Sequence, residues 1–203
     1  IPLANGFAQW TGEAFTALGN GIPKGVSSLH AKAIDGRWPE RKCLFAVGDL
    51  VTAGGVLTQA IAKWNGESWA VFGEFERWAD VEAVESVDLE GDGDTTLLVV
   101  GGRFNKIAGL PCQNVAYWDG RTWSPAAASM EDLHSASPMV SVLAGFDADG
   151  PGGFPPSVFT GGRFSSIDGV KCQNIARWDG HSWSPVGGGI TSPYWVSINS
   201  LGE

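Results

Sequence analysis

A six-residue motif, Trp-Asp/Asn-Gly-x-x-Trp, returns three times along the chain: Trp64-Asn65-Gly66-Glu67-Ser68-Trp69, Trp118-Asp119-Gly120-Arg121-Thr122-Trp123 and Trp178-Asp179-Gly180-His181-Ser182-Trp183. A weaker copy, Trp10-Thr11-Gly12-Glu13-Ala14-Phe15, precedes them. The leading tryptophans, at positions 10, 64, 118 and 178, lie 54, 54 and 60 residues apart. A unit of that length cannot bury its apolar faces alone, so the repeats must stack, as in a propeller or a solenoid.

The rest of the chain agrees with many short strands. Its 203 residues include 29 glycines, 11 prolines and 10 tryptophans, a composition that breaks helices and supplies turns. In the third copy, strands are predicted at 139–146, 157–164, 174–178 and 181–185, each apolar and bounded by Gly, Pro or Asp. The second copy matches with 84–89, 97–104, 114–118 and 121–125, and the first with 26–34, 43–50, 60–64 and 67–72. Four antiparallel strands per unit is the make-up of a propeller blade. The expected fold is therefore all-β, a β-propeller of kelch-like four-stranded blades, as a small ring or a partial propeller. The 203 residues read as one repeat domain, with blades near 1–20 (strands 3 and 4 only), 21–75, 76–128, 129–188 and 189–203 (strand 1 only).

The motif reads as a packing device. An Asp-Gly or Asn-Gly pair suits a two-residue type I′ hairpin loop, in which Trp118 pairs with Arg121 and Ala116 with Trp123. Both indoles then share one face, and the small Ala116 leaves room for the second. Ala62 and Ala176 hold the same place, while Ile61, Val115 and Ile175 occupy the opposite face. A strand apolar on both faces must be covered on both. Trp64, Gly66, Trp69, Trp118, Gly120, Trp123, Trp178, Gly180 and Trp183 are thus read as structural, with a sugar-stacking platform as the alternative.

A second recurring element is the glycine pair of Gly101-Gly102-Arg103-Phe104 and Gly161-Gly162-Arg163-Phe164, reduced to Gly48 in the first copy. Glycine at a strand end signals close backbone approach or a bulge. The pair lacks the spacing of a phosphate loop or a dinucleotide fingerprint. Arg103 and Arg163 are equivalent, and either form a basic rim or pair with neighbouring carboxylates.

The run from Gly161 to Ile190, GGRFSSIDGVKCQNIARWDGHSWSPVGGGI, resembles the tandem propeller repeats of large secreted bacterial surface proteins. Related repeats occur in the fungal cortical polarity-marker family and, more distantly, in kelch and galactose-oxidase-like propellers. The resemblance covers nearly the whole chain and implies an extracellular or cell-surface scaffold or adhesive role, with little chemistry. The fourth strand is also similar to the Asp-box of sialidases, a structural turn, from which it departs by one missing residue.

Catalytic motifs are sparse. His30, His134 and His181 fall at different repeat positions, and Tyr117 and Tyr194 do not repeat. That set does not suit the two-Tyr, two-His copper site of galactose oxidase. No Gly-x-Ser-x-Gly elbow, His-Glu-x-x-His or Cys-x-x-Cys occurs. A glycosidase-type carboxylate pair stays open, because sequence spacing does not report the spatial separation that matters.

One loop has cation chemistry. Asp88, Glu90, Asp92 and Asp94 alternate with other residues, including Gly91 and Gly93, as in a short loop wrapping Ca²⁺. It resembles the loop of integrin-type propeller repeats, with Thr96 where a further Asp is usual. The alternative is a solvated acidic hairpin, so the expected cofactor is none or Ca²⁺. Cys112 and Cys172 are equivalent, Cys43 is not, and an odd count leaves at least one thiol outside any internal bridge.

A net charge of −9 with 13 scattered Lys and Arg argues against nucleic acid. No apolar run approaches the roughly 20 residues of a membrane-spanning helix. Ile1 opens the chain without a Met or a signal-like segment, which leads one to expect a processed or partial chain. Aligning the copies sets Ile1 level with Gly109 and ends Glu203 after a first strand, leaving one blade short of its second strand. The leading expectation is a non-catalytic structural or adhesive module that self-associates, with itself or neighbouring repeats as partner. The alternatives are a glycan-binding propeller and a glycoside hydrolase or lyase scaffold.

Overall fold

In a computed structural model, residues 8–23, 25–32, 43–76, 78–90, 96–133, 137–147 and 155–191 are described. Among them all regular structure is strand, and no helix is long and apolar enough to cross a membrane.

A hairpin of β1 (Ala8–Trp10) and β2 (Phe15–Ala17) comes first. The first full unit holds β3 (Val26–Lys32), β4 (Cys43–Gly48), the two-residue β5 (Thr52–Ala53) and β6 (Val56–Leu57), β7 (Ile61–Trp64) and β8 (Trp69–Val71). Its long strands form an antiparallel sheet in the order β3-β4-β7-β8, and β5–β6 is a small hairpin between the second and third. The second unit repeats this with β9 (Asp80–Val87), β10 (Leu97–Arg103), β11 (Lys106–Ile107), β12 (Leu110–Pro111), β13 (Val115–Trp118) and β14 (Trp123–Pro125). After the short β15 (Met130–Glu131), the third unit is β16 (Met139–Phe146), β17 (Ser157–Arg163), β18 (Ser166–Ile167), β19 (Val170–Lys171), β20 (Ile175–Trp178) and β21 (Trp183–Pro185). β15 joins the small hairpin β18–β19 instead of a large sheet.

The four strands per unit stand where the repeat places them. β9 begins four residues before the expected Val84, because Val81 and Asp80 continue the pairing to Gly102 and Arg103 beyond a bulge.

The hairpin register differs from expectation. Trp118 faces Trp123 directly and Ala116 faces Pro125, so the loop is the four residues 119–122 and not a two-residue type I′ turn. The Asp119 side chain is the reason. Its Oδ1 accepts the backbone N–H groups of both Arg121 and Thr122 at 2.7 Å, while the Asp119 N–H reaches the Thr122 carbonyl at 3.3 Å. Gly120, at φ +91°, takes the left-handed position this closure requires. Asn65 and Asp179 close their loops in the same way, and Trp64–Trp69 and Trp178–Trp183 are likewise directly opposed. The two indoles still share a face, with ring centroids 5.4, 5.7 and 6.1 Å apart in the three copies.

Alternation then buries both faces of the middle sheet. Leu98, Val100, Ala116 and Trp123 pack with Phe45, Val47 and Ile61 of the first sheet. Val87, Val99 and Val115 pack with Val140, Val158, Ala176 and Trp183 of the third. The remaining face of the first sheet, carrying Ala46, Ala62 and Trp69, is covered by Leu18 and Ile22 from the chain leaving β2. Fully burying one such aliphatic or aromatic side chain stabilises by about 1.5–3 kcal/mol, and each sheet-to-sheet junction buries several.

Candidate functional site

The glycines that follow each second strand's apolar run explain how a cleft forms between the units. Gly48, Gly102 and Gly162 are equivalent, and each lies opposite an irregularity in its neighbouring first strand. A Cβ on Gly102 would run into the Asp80 carbonyl, one on Gly162 into the Met139 carbonyl, and one on Gly48 into the Gly25 carbonyl. Only glycine lets the bulged backbone come this close. The first glycine of the pair has another task, since a Cβ on Gly101 would lie 2.5 Å from Val140 Cγ1 of the next sheet.

Each bulge leaves one first-strand residue outside the ladder. Val26 pairs with Gly48 and Ser28 with Val47, skipping Ser27; Val81 pairs with Gly102 and Ala83 with Gly101, skipping Glu82; Val140 pairs with Gly162 and Val142 with Gly161, skipping Ser141. Ser27, Glu82 and Ser141 are thus the same residue of three repeats. All three line one cleft of about 420 Å³ between β3, β9 and β16. A bulge re-aims a side chain, and here three bulges aim oxygen-bearing side chains at one space.

Glu82 is the charged member. Burial pushes its carboxyl above the ordinary range, and the neighbouring Asp80 adds to this by its charge and by a shared hydrogen bond. A hydrogen bond from Ser27 and the charge of Arg103 act in the opposite sense without cancelling the rise. Arg103 pairs with Asp80 at 3.6 Å. Further along the same two strands, His30 Nε2 and Ser86 Oγ lie 2.8 Å apart and tie β3 to β9.

The other sequence candidates are distributed differently. Arg163 pairs with Asp132 at 3.5 Å and donates from Nη2 to the Ser137 carbonyl at 2.6 Å, so both arginines of the repeat meet local carboxylates. Trp69, Trp123, Trp178 and Trp183 are buried, and Trp64 and Trp118 are half-buried. The indole N–H of Trp69 donates to the Leu18 carbonyl and that of Trp183 to the Ala126 carbonyl. Trp123 instead borders a surface groove of about 630 Å³ together with Phe72, Trp118, Leu110 and Arg121. Gly66, Gly120 and Gly180 hold positive φ in the hairpin loops.

Asp88 and Glu90 follow β9, and Asp88 Oδ1 accepts the Glu90 N–H at 3.2 Å. Asp92 and Asp94 lie outside the described residues, and among those described no cluster of three or more His, Cys, Asp or Glu is arranged to hold a metal ion.

The cysteines take a role the sequence did not disclose. Cys112 Sγ donates to the Val115 carbonyl at 2.9 Å, as the Thr58 hydroxyl does to Ile61 at the same distance in the first unit. Burial pushes the Cys112 thiol up to about 12 and the Cys172 thiol up to about 11. Thr58, in register with both cysteines, was the available signal. For the cleft, the signal was the glycine pair, because a bulge was one of its two readings. Nothing in the pattern pointed to the His30–Ser86 contact.

Comparison with protein-family models, with curated proteins and with solved structures returns no match to this chain.

Proposed function

We propose that this chain is a non-catalytic β-propeller-type repeat module, a structural or adhesive component of an extracellular or cell-surface protein, which associates with further units of its own kind. The observation that carries the reading is a difference between equivalent residues. Trp10 and Phe15 pack against each other at 5.0 Å like the later tryptophan pairs, yet are 55% and 69% exposed. At the other end of the stack, Phe146 of the third sheet is 49% exposed, whereas its counterpart Val87 in the second sheet is buried under the next unit. Inside the chain, a face of the second kind receives a tryptophan face of the first kind. The two exposed faces are therefore complementary halves of one more junction, a head-to-tail contact that closes into a ring or propagates.

Light scattering across a concentration series tests this. Association that weakens in Trp10→Ser supports the module reading, and a monodisperse monomer at every concentration overturns it.

A second reading, glycan binding, is favoured by the groove beside Trp123, where Phe72, Trp118 and Leu110 offer apolar surface next to Arg121. A glycan array without hits removes it.

A further inference from the structure

We propose that the cleft between β3, β9 and β16 binds a primary alkylammonium group, its head held by the Glu82 carboxylate with the hydroxyls of Ser27 and Ser141, its stem lying on Met139, Val142 and Leu143. Ser27, Glu82 and Ser141 are distinct from Trp10, Phe15 and Phe146, and binding is read separately from association, although Val142, the counterpart of Ala83, lies on the face that a next unit would cover.

Charge selects a cation. Two carboxylates, Asp80 and Glu82, stand beside one guanidinium, Arg103, which pairs with Asp80. Glu82 is left as the acceptor facing the cleft, and among the described residues no Lys, Arg or His lines it. A half-buried carboxyl such as Glu82 gains from a charged donor that replaces lost solvation.

Donor geometry selects a primary amine among cations. An ammonium head carries three N–H donors and no acceptor, and three repeats each present an oxygen-bearing side chain from the same bulge position. A quaternary ammonium has no donor for the hydroxyls, and among the described lining residues there is no aromatic face to receive one. A hard divalent cation would seek several carboxylate or carbonyl oxygens, and two serine hydroxyls are poor substitutes. The opposite wall is apolar, with Met139 offering an adaptable thioether, which suits a short hydrocarbon stem. A space of about 420 Å³ takes a small alkylamine and not a folded partner.

The test is titration of the full chain with n-butylammonium, n-butanol and tetramethylammonium, followed by chemical-shift changes and calorimetry. Saturable binding of n-butylammonium is expected, localised to the Ser27, Glu82 and Ser141 signals, with no saturation by the other two at the same concentrations. Glu82→Gln should weaken it by at least about tenfold, the cost of losing a charge-assisted bond. Ser141→Ala, a smaller perturbation, should weaken it by a few-fold and keeps the test sound if the first variant misfolds. No saturation by n-butylammonium, equal binding of n-butanol or tetramethylammonium, or unchanged affinity in both variants overturns the proposal.

Discussion

The indole N–H of Trp183 donates to the Ala126 carbonyl at 2.8 Å, from the last strand of the third sheet to the chain leaving the second. Trp69 makes the same bond to Leu18 at 3.0 Å, two full units earlier. Because Leu18 follows β2 as Ala126 follows β14, the first hairpin occupies the place of a preceding unit's last two strands. In two of the three copies the second tryptophan of the motif is thus a latch between units as well as apolar bulk.

Replacing Trp183 by Phe keeps most of the apolar area and removes the bond. A loss of about 1–3 kcal/mol is expected, since the Ala126 carbonyl is left in a partly buried place without its donor. Denaturant melts at matched slope measure it. Trp123→Phe, where Ala126 has no counterpart bond and the ring borders a groove, should cost less.

The two kinds of glycine separate by their substitution cost. Gly102→Ala sets a Cβ against the Asp80 carbonyl, and the bulged strand must move, at about 3 kcal/mol or more. Gly120→Ala meets nothing within 4 Å and suffers only the strain of φ +91°, about 1–2 kcal/mol. Thermal or urea unfolding of the two variants side by side should rank them in that order. A reversed order would mean that the bulge is not what the glycine pair maintains.

Much of this architecture was legible beforehand. The motif spacing gave the unit, the alternation of Ala116 with Val115 gave two covered faces, and the glycines gave a bulge or a close approach. What escaped the sequence was register. A two-residue loop and a four-residue loop closed by the Asp119 side chain both contain Asp-Gly, and only the geometry of Oδ1 decides between them. The cleft escaped for a related reason. Ser27, Glu82 and Ser141 are not all of one residue type, and they become equivalent only when the bulge in each first strand is counted.

Cys112 and Cys172 should behave as structural thiols. With the Cys112 thiol pushed up to about 12 and that of Cys172 up to about 11, both are protonated at neutral pH and shielded. Native protein should label slowly with iodoacetamide at these two positions, and unfolded protein fast. Cys112→Thr restores the Thr58 arrangement and should change stability by no more than about 1 kcal/mol. Rapid native labelling at either site would contradict the burial that defines this role.

The Glu82 carboxyl gives a pH dependence of definite sign. Its folded value is raised, chiefly by burial and then by Asp80, so folding takes up a proton in the interval above the ordinary glutamate value of about 4.5. Stability from the neutral form is fully present below that value and is lost as pH rises through the folded one. Besides burial, Asp80 and Arg103 beside it and Ser27 from β3 set the interval, while Ser28 and Ser141 are the other polar groups lining the cleft. Asp119 and Asp179 work in the opposite sense. Burial alone would raise them, but the backbone donors of their loops prevail and hold both carboxyls low, so their contribution is present above the ordinary aspartate range and is lost as pH falls through the folded value. Glu82→Gln should flatten the decline on the alkaline side of pH 4.5 while leaving the acid limb of the loop aspartates unchanged. An unaltered alkaline limb in that variant would show that Glu82 is solvated in the folded chain, and the ammonium site would lose its desolvated acceptor with it.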